Sequence, residues 1–527
     1  MIPFPSPRSA QFRAPGTALA ALALAAWLAL LPSGSARGEN LAPLGERPDW
    51  GELEAYAATM TREELRAALH TFYTDGAAYQ PLMDLFQDRL EVIRTSSEAD
   101  RADAERVTVP LRDPLDPAEA TPPRYWRPAH ELPRLDGRPP LSDLRIAIDP
   151  GHIGGQFARM EGRWFQINDQ PPIMEGEIVL EIAFLLKDRL EQLGAEVVLV
   201  RERNAPVTNR RPEDLQGEAR RQLIAQGVSN PAPTYSPNDG HQRALTVQFV
   251  SEQLFYRNSE IRERARLINE VIRPDLTLCL HLNAEAWGDP AKPDFVEANH
   301  LHVLINGSYS YNELSQDDTR FEMLKRLFQR IHEEELVLGD TIARSMAEST
   351  GLPPYTYNSP AAQQVNDNPY LWARNLLANR LFMNPVLFLE PYVMNHRETH
   401  DRLQAGDYLG RTMINGRLQS SLYQDYVNGV VNGLVRHYSR HRDGRRQRAT
   451  TLPPSTTPGT IPEPPAPTEP SPATEPAGAS APPRQPGDGG ILPPAPSDNP
   501  PPRPNDDSEP PSFLPGPFDP GPNTLGF

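Results

Sequence analysis

The 527-residue chain has a single cysteine, Cys279, which excludes an internal disulfide and any multi-cysteine metal or iron–sulfur site. Basic residues are in deficit: 52 Lys and Arg stand against 69 Asp and Glu, a formal net charge of −17. That balance argues against nucleic acid as a partner. Long apolar runs are also scarce. The longest, Ala18 to Leu31, falls short of the roughly 20 residues that span a membrane. Gly151, Gly154 and Gly155 fit neither GxGxxG nor GxxxxGK[ST], so they read as points of close backbone approach rather than a phosphate loop. His396 and His400 are four apart, but no Glu follows the first, so HExxH is absent. Both read as surface residues. No internal repeat is visible.

Proline, by contrast, is abundant: 60 residues, roughly twice the usual share of about 5%. The excess is local, with 26 prolines between Thr451 and Phe527. Residues without an N–H and with φ locked cannot fill a packed core at that density. The stretch 442–527 therefore reads as a disordered tail. Residues 451–527 also hold nine acids and two arginines, and so contribute −7 to the net charge. At the other end, Arg8 and Arg13 precede the apolar run, and Pro32-Ser33-Gly34-Ser35-Ala36 follows it. A charged opening, a short apolar stretch and small residues describe a secretory signal peptide over 1–36. Export to the periplasm or cell envelope is expected, with no stable membrane span after cleavage.

Between these ends the chain divides by pattern. Residues 37–112 read as a small, mainly helical region. Thr61-Arg62-Glu63-Glu64 is a capping box. Leu82, Leu85, Phe86, Leu90 and Ile93 fall at helical spacing, and Val107–Leu111 reads as a short strand. Residues 113–140 are proline-rich and read as a linker or wrapping segment. From Leu144 the pattern alternates: a strand at 144–148, a helix over 178–193 stopped by Gly194, and a strand at 196–200. Residues 204–260 read as an irregular insert and a candidate occluding element. Further strands are expected at 276–282, 300–305 and 385–389, and helices at 261–271, 321–331 and 418–438. The fold expected for 141–441 is α/β, a mixed, mainly parallel sheet with helices on both faces.

Ligands of open α/β sheets bind beyond the carboxyl ends of the strands. His152 follows the strand at 144–148, His281 lies at the end of 276–282, and Glu390 follows 385–389. Glu175 precedes the first long helix, which starts from the same edge. Two histidines and a carboxylate suit a catalytic zinc ion, whose fourth position is left for water. A further carboxylate can move the proton. Glu161 is a rival carboxylate near His152 and reads as a solvated or substrate-facing loop residue. Cys279 shares a strand face with His281 and reads as a buried, inert thiol.

The local sequences carry a resemblance. Ile146-Ala147-Ile148-Asp149-Pro150-Gly151-His152-Ile153-Gly154-Gly155, Glu175-Gly176-Glu177-Ile178-Val179-Leu180-Glu181-Ile182-Ala183, Asp275 to Ala284 and Pro385 to Glu390 resemble, in order, motifs of the zinc-dependent N-acetylmuramoyl-L-alanine amidases (amidase-3 family). The chain looks like a divergent member. Pro391-Tyr392-Val393 stands where the family usually has Thr-Gly-Phe, and the gap from His152 to Glu175 is longer. The resemblance implies zinc on His152, Glu175 (Glu177 as fallback) and His281, with Glu390 catalytic. It places Asn283 and Arg201 at positions offered for substrate binding. The implied reaction is hydrolysis of the amide between N-acetylmuramic acid and L-alanine of peptidoglycan. A zinc peptidase acting on stem peptides and a non-catalytic peptidoglycan-binding protein stand as alternatives. The proline-rich tail is expected to act as a spacer or to dock an envelope protein partner.

Overall fold

A computed structural model describes residues 39–99, 102–116, 120–236, 240–289 and 292–442. The expected export segment lies outside these residues, as does the tail beyond Arg442. Among the described residues no helix is long and apolar enough to cross a membrane.

A seven-stranded sheet organises the chain. Its strands, numbered along the sequence, are β1 (Arg145–Pro150), β2 (Glu196–Leu199), β3 (Leu276–Leu280), β4 (Leu301–Ile305), β5 (Ala362–Gln364), β6 (Leu371–Arg374) and β7 (Val386–Pro391). Their spatial order is β5-β6-β4-β7-β3-β1-β2. β2, β1, β3 and β7 run parallel, β4 is antiparallel to β7, and β6 is parallel to β4. The expected mixed, mainly parallel sheet is thus present. Its central strands are continuous apolar runs because both faces are covered. Ile146, Ile148, Leu278, Leu387 and Leu389 join the larger core on one face. Ala147, Cys279, Phe388 and Val386 join a second cluster on the other. This is the period-two alternation of a strand between two helical layers.

Helix α1 (Glu175–Gln192) buries Val179, Ile182, Ala183, Leu186 and Leu190 against the larger core. It ends as expected at Gly194, whose φ is +95°. Gly194 N–H donates to Glu191 O and Ala195 N–H to Leu190 O, which closes a Schellman turn. Helices α2 (Asp317–Phe328), α3 (Ile331–Thr350) and α4 (Leu422–His441) complete that layer. A Cβ on Gly433 would lie 3.0 Å from Ile342 Cα, so α4 can approach α3 closely only with glycine there. The second layer comes from Glu260–Arg266 and Leu377–Leu381.

The N-terminal region departs from the helical expectation. The capping box at Thr61 and Glu64 forms, with both reciprocal bonds present. Residues 81–93, however, make strands Met83–Leu85 and Arg89–Ile93, which pair with Arg106–Pro110 in a three-stranded antiparallel sheet. The apolar spacing of that stretch fits either structure, and pairing with the strand at 106–110 decides it. The region joins the main core: Trp50 meets Phe321 edge-on at 5.4 Å, and Tyr56 stacks on Phe328 at 5.8 Å. Residues 120–140 wrap. Trp126 is buried, Arg127 pairs with Asp275 at 2.6 Å, and Ala129 N–H donates to Glu334. The insert is not irregular. It contains helices Gln216–Ala225 and Val247–Gln253 around a small core of Leu223, Leu254 and Phe255.

Candidate metal centre

The chain leaves β1 at Pro150 and turns at once. His152 adopts φ +56°, the left-handed region that costs a non-glycine residue energy unless its surroundings enforce it. Two buried arginines do so. Arg264 donates to Asp149 Oδ1, Pro150 O and His152 O at 2.8–2.9 Å. Arg201 donates to Pro150 O, Gly151 O and Gly176 O at 3.0, 2.9 and 2.6 Å. A Cβ on Gly151 would sit 2.4 Å from the His281 ring, and one on Gly176 would sit 2.6 Å from Gly154 N. These glycines bring the turn after β1, the start of α1 and the His281 ring into direct contact.

Three side chains then converge. His152 Nε2 lies 3.0 Å from Glu175 Oε2, and His281 Nδ1 lies 3.2 Å from Glu175 Oε1. One ligand atom from each of the three lies within 4.8 Å of the others, and all three residues are buried. Leu282 N–H also donates to Glu175 Oε1, at 3.1 Å. The imidazoles stand nearly perpendicular at 5.0 Å, and the His281 ring stacks on Phe388. The alternative Glu177 is in the same helical turn but outside this group.

Electrostatics follow from burial and proximity. Burial pushes His152 down to about 3, against the pull of Glu175. Burial opposes the charge on Glu175, but its close neighbours His152, His281 and Arg163 hold its carboxyl well below the usual range. Burial likewise opposes protonation of His281, yet Glu175 and Glu390 raise it. A neutral imidazole nitrogen and an ionised carboxylate are the forms a metal takes. The donor set, two nitrogens and a carboxylate in a buried cluster, fits zinc.

Glu390 sits near the end of β7, opposite His302 in the ladder with β4. Burial pushes its carboxyl up to about 7; His281 pulls it down and Glu175 raises it. The Asn283 amide donates to Glu390 O at 3.1 Å and holds the strand end. Asn283 and Arg201, offered as substrate contacts, are thus both buried and spend these donors on the main chain.

Two sequence readings need correction. Glu161 is not solvated. Its buried carboxylate accepts from Ile153 N–H at 2.9 Å and Gly154 N–H at 3.1 Å, and lies 3.8 Å from His152 Nδ1. Burial pushes it up to about 7, against those hydrogen bonds. His400 is not at the surface. It is fully buried, with its ring 5.3 Å from that of Phe295 and 6.4 Å from that of Phe165. Cys279 is buried as expected, and burial pushes its thiol well up. Arg163 was not anticipated: Nε donates to His152 Nε2 at 3.1 Å and lies 3.3 Å from Glu175 Oε2. A single arginine in a loop carries no periodic signal by which it could have been found.

No family model matches the chain. Over 202 residues it is 34% identical to the germination-specific N-acetylmuramoyl-L-alanine amidase of Bacillus subtilis (strain 168). That match takes in 37% of this chain, and the chain spans 60% of the length of the curated relative. Among solved structures it is similar to the N-acetylmuramyl-L-alanine amidase Ami1 from Mycobacterium smegmatis, at 15% identity and a TM-score of 0.30, covering 57% of this chain and 99% of that one. It is also similar to the catalytic domain of CwlV, an N-acetylmuramoyl-L-alanine amidase from Bacillus (Paenibacillus) polymyxa var. colistinus. There the identity is 14% and the TM-score 0.29, over 57% of this chain and 99% of that one.

Proposed function

We propose that the chain, similar over 202 residues to an N-acetylmuramoyl-L-alanine amidase, is a divergent member of that family and an exported, zinc-dependent amidase. Its substrate is peptidoglycan, and the bond cut joins N-acetylmuramic acid to L-alanine of the stem peptide. The observation that carries this reading is the buried convergence of His152, Glu175 and His281, with Glu390 on the neighbouring strand. These three residues would hold the ion. Bound there, zinc supplies a Lewis acid that polarises a carbonyl and makes water nucleophilic near neutral pH.

Glu390 moves the proton. As a carboxylate it accepts a proton from the attacking water, and as an acid it returns that proton to the amine of the departing alanine. The amide C–N bond breaks, a C–O bond forms, and the carboxylate is regenerated. A group poised at about 7 is suited to both halves of that exchange. Arg201, Arg264 and Glu161 keep the turn at His152 in place. The acidic, proline-rich tail serves as a spacer or as a docking segment for an envelope protein.

The test combines metal content with product mass spectrometry on purified peptidoglycan. Free lactyl groups on the glycan together with intact stem peptides are expected. Protein that takes up no zinc, or a Glu390→Gln variant with full activity, would overturn the proposal. Cuts within the stem peptide would mark a peptidase instead, and binding without release a wall-binding protein.

A further inference from the structure

We infer that Arg163 is a built-in counter-cation of this centre: it holds the ligand atoms in the metal-free protein, and an incoming ion must displace it. The inference rests on reading His152, Glu175 and His281 as metal ligands. Arg163 Nε donates to His152 Nε2, and that same nitrogen lies 3.0 Å from Glu175 Oε2. The other ring nitrogen, Nδ1, is turned toward Glu161 at 3.8 Å. Nε2 is therefore the nitrogen that faces the ligand cluster. A neutral imidazole nitrogen has one lone pair, which cannot accept an N–H and coordinate an ion together. Glu175 Oε2, the carboxylate oxygen beside it, is within 3.3 Å of the same Nε. The guanidinium thus competes for two ligand atoms rather than resting beside them.

The local fold suits such an exchange. The main chain of Arg163 is fixed: its N–H donates to Ala158 O, and its carbonyl accepts from Glu175 N–H. The next two residues, Trp164 and Phe165, pair with Ile173 and Met174 in a short hairpin. The side chain, in contrast, is 21% exposed, against 2% for His152 and 3% for Glu175. The guanidinium can swing toward solvent while its backbone stays put. Two roles follow. Without metal, Arg163 supplies the positive charge that a buried carboxylate needs. With metal, the cost of evicting it sets the affinity.

The experiment compares wild type, Arg163→Met, Arg163→Gln and Arg163→Lys in the full chain. Each is stripped with a chelator and titrated with zinc against a chromophoric competitor. Giving up a charge-assisted hydrogen bond should cost on the order of ten- to a hundred-fold in affinity, so the Met and Gln variants are expected to bind zinc that much more tightly. The Lys variant, which keeps a cation, should stay near wild type. The rise in melting temperature on adding zinc should also be larger for the Met variant than for wild type. Zinc affinities of the Met and Gln variants equal to or weaker than wild type overturn the inference. If Met fails to fold, Gln carries the comparison, since it is polar and of similar length but lacks the charge that strengthens the bond. Wild type that binds no zinc overturns the ligand assignment itself, a result distinct from equal affinities.

Discussion

Gly151→Ala isolates a single contact in the proposed metal centre. Gly151 is not among the residues with positive φ, so alanine meets no backbone penalty there. What it meets is the His281 ring, at 2.4 Å from Cε1 and 2.6 Å from both nitrogens. Ordinary contact begins near 3.4 Å, so the ring must retreat by roughly 1 Å. It cannot do so freely, because it stacks on Phe388 at 5.1 Å with an interplanar angle of 17°. Overpacking of this kind costs about 1–3 kcal/mol. A displacement of about 1 Å in a positioned group costs on the order of 100-fold in rate. Under the proposed function, the expected outcome is a folded protein, a few degrees less stable, with zinc affinity lowered ten-fold or more and amidase turnover lowered further. Thermal melting of the metal-free protein, zinc titration and release of stem peptides from peptidoglycan measure the three. A Gly151→Ala variant with unchanged zinc affinity and turnover would refute the argument, because the ring could not then stand where the contact requires.

Glu161→Gln keeps the shape beside His152 but removes the charge near Nδ1, and should weaken zinc binding by about 10- to 100-fold without unfolding the protein, as read by calorimetric titration. Glu390 has a raised folded pKa, so its carboxyl favours the fold when protonated; that contribution is present below its unfolded pKa of about 4.3 and lost as pH rises through about 7. Metal-free Glu390→Gln should therefore lose less stability than wild type between pH 5 and 8 in urea titrations. Glu334 shows the opposite sign: burial raises it, but the His437 hydrogen bond and charge hold it below its ordinary value, so its contribution is present above the unfolded pKa and lost on acidification. His437→Phe should flatten the acid limb of the stability curve, and an unchanged limb would exclude that pair as its source.

Much of the sheet was legible because its central strands are buried on both faces and read as unbroken apolar runs. The three proposed ligands stood out because each lies at or just past the end of such a run, or at the start of the helix that follows, and the structure brings them together. What was missed depended on partners remote in sequence. The hairpin at 83–93 carries a spacing that a helix would also carry, and the strand at 106–110 settles it. Helix Ile331–Thr350 was not expected; after Ile331 it opens on four polar residues, His332 to Glu335, which hide its apolar period. Glu161 looked solvated because it is a charged residue in a loop, yet two N–H groups seven and eight residues earlier claim its carboxylate. His400 is polar by composition, and only the aromatic rings closing around it explain its burial.

The insert at 204–260 looked like a cover laid over the cleft. Its last residue, Glu260, is also a rivet. The Glu260 carboxylate accepts from Val207 and Thr208 N–H at the insert's beginning and from Arg264 at 2.9 Å. Arg264 in turn grips the carbonyl of His152. The two ends of the insert are thereby stitched to the turn at His152. Cutting the insert away would pull out the fastening on which the turn at His152 hangs.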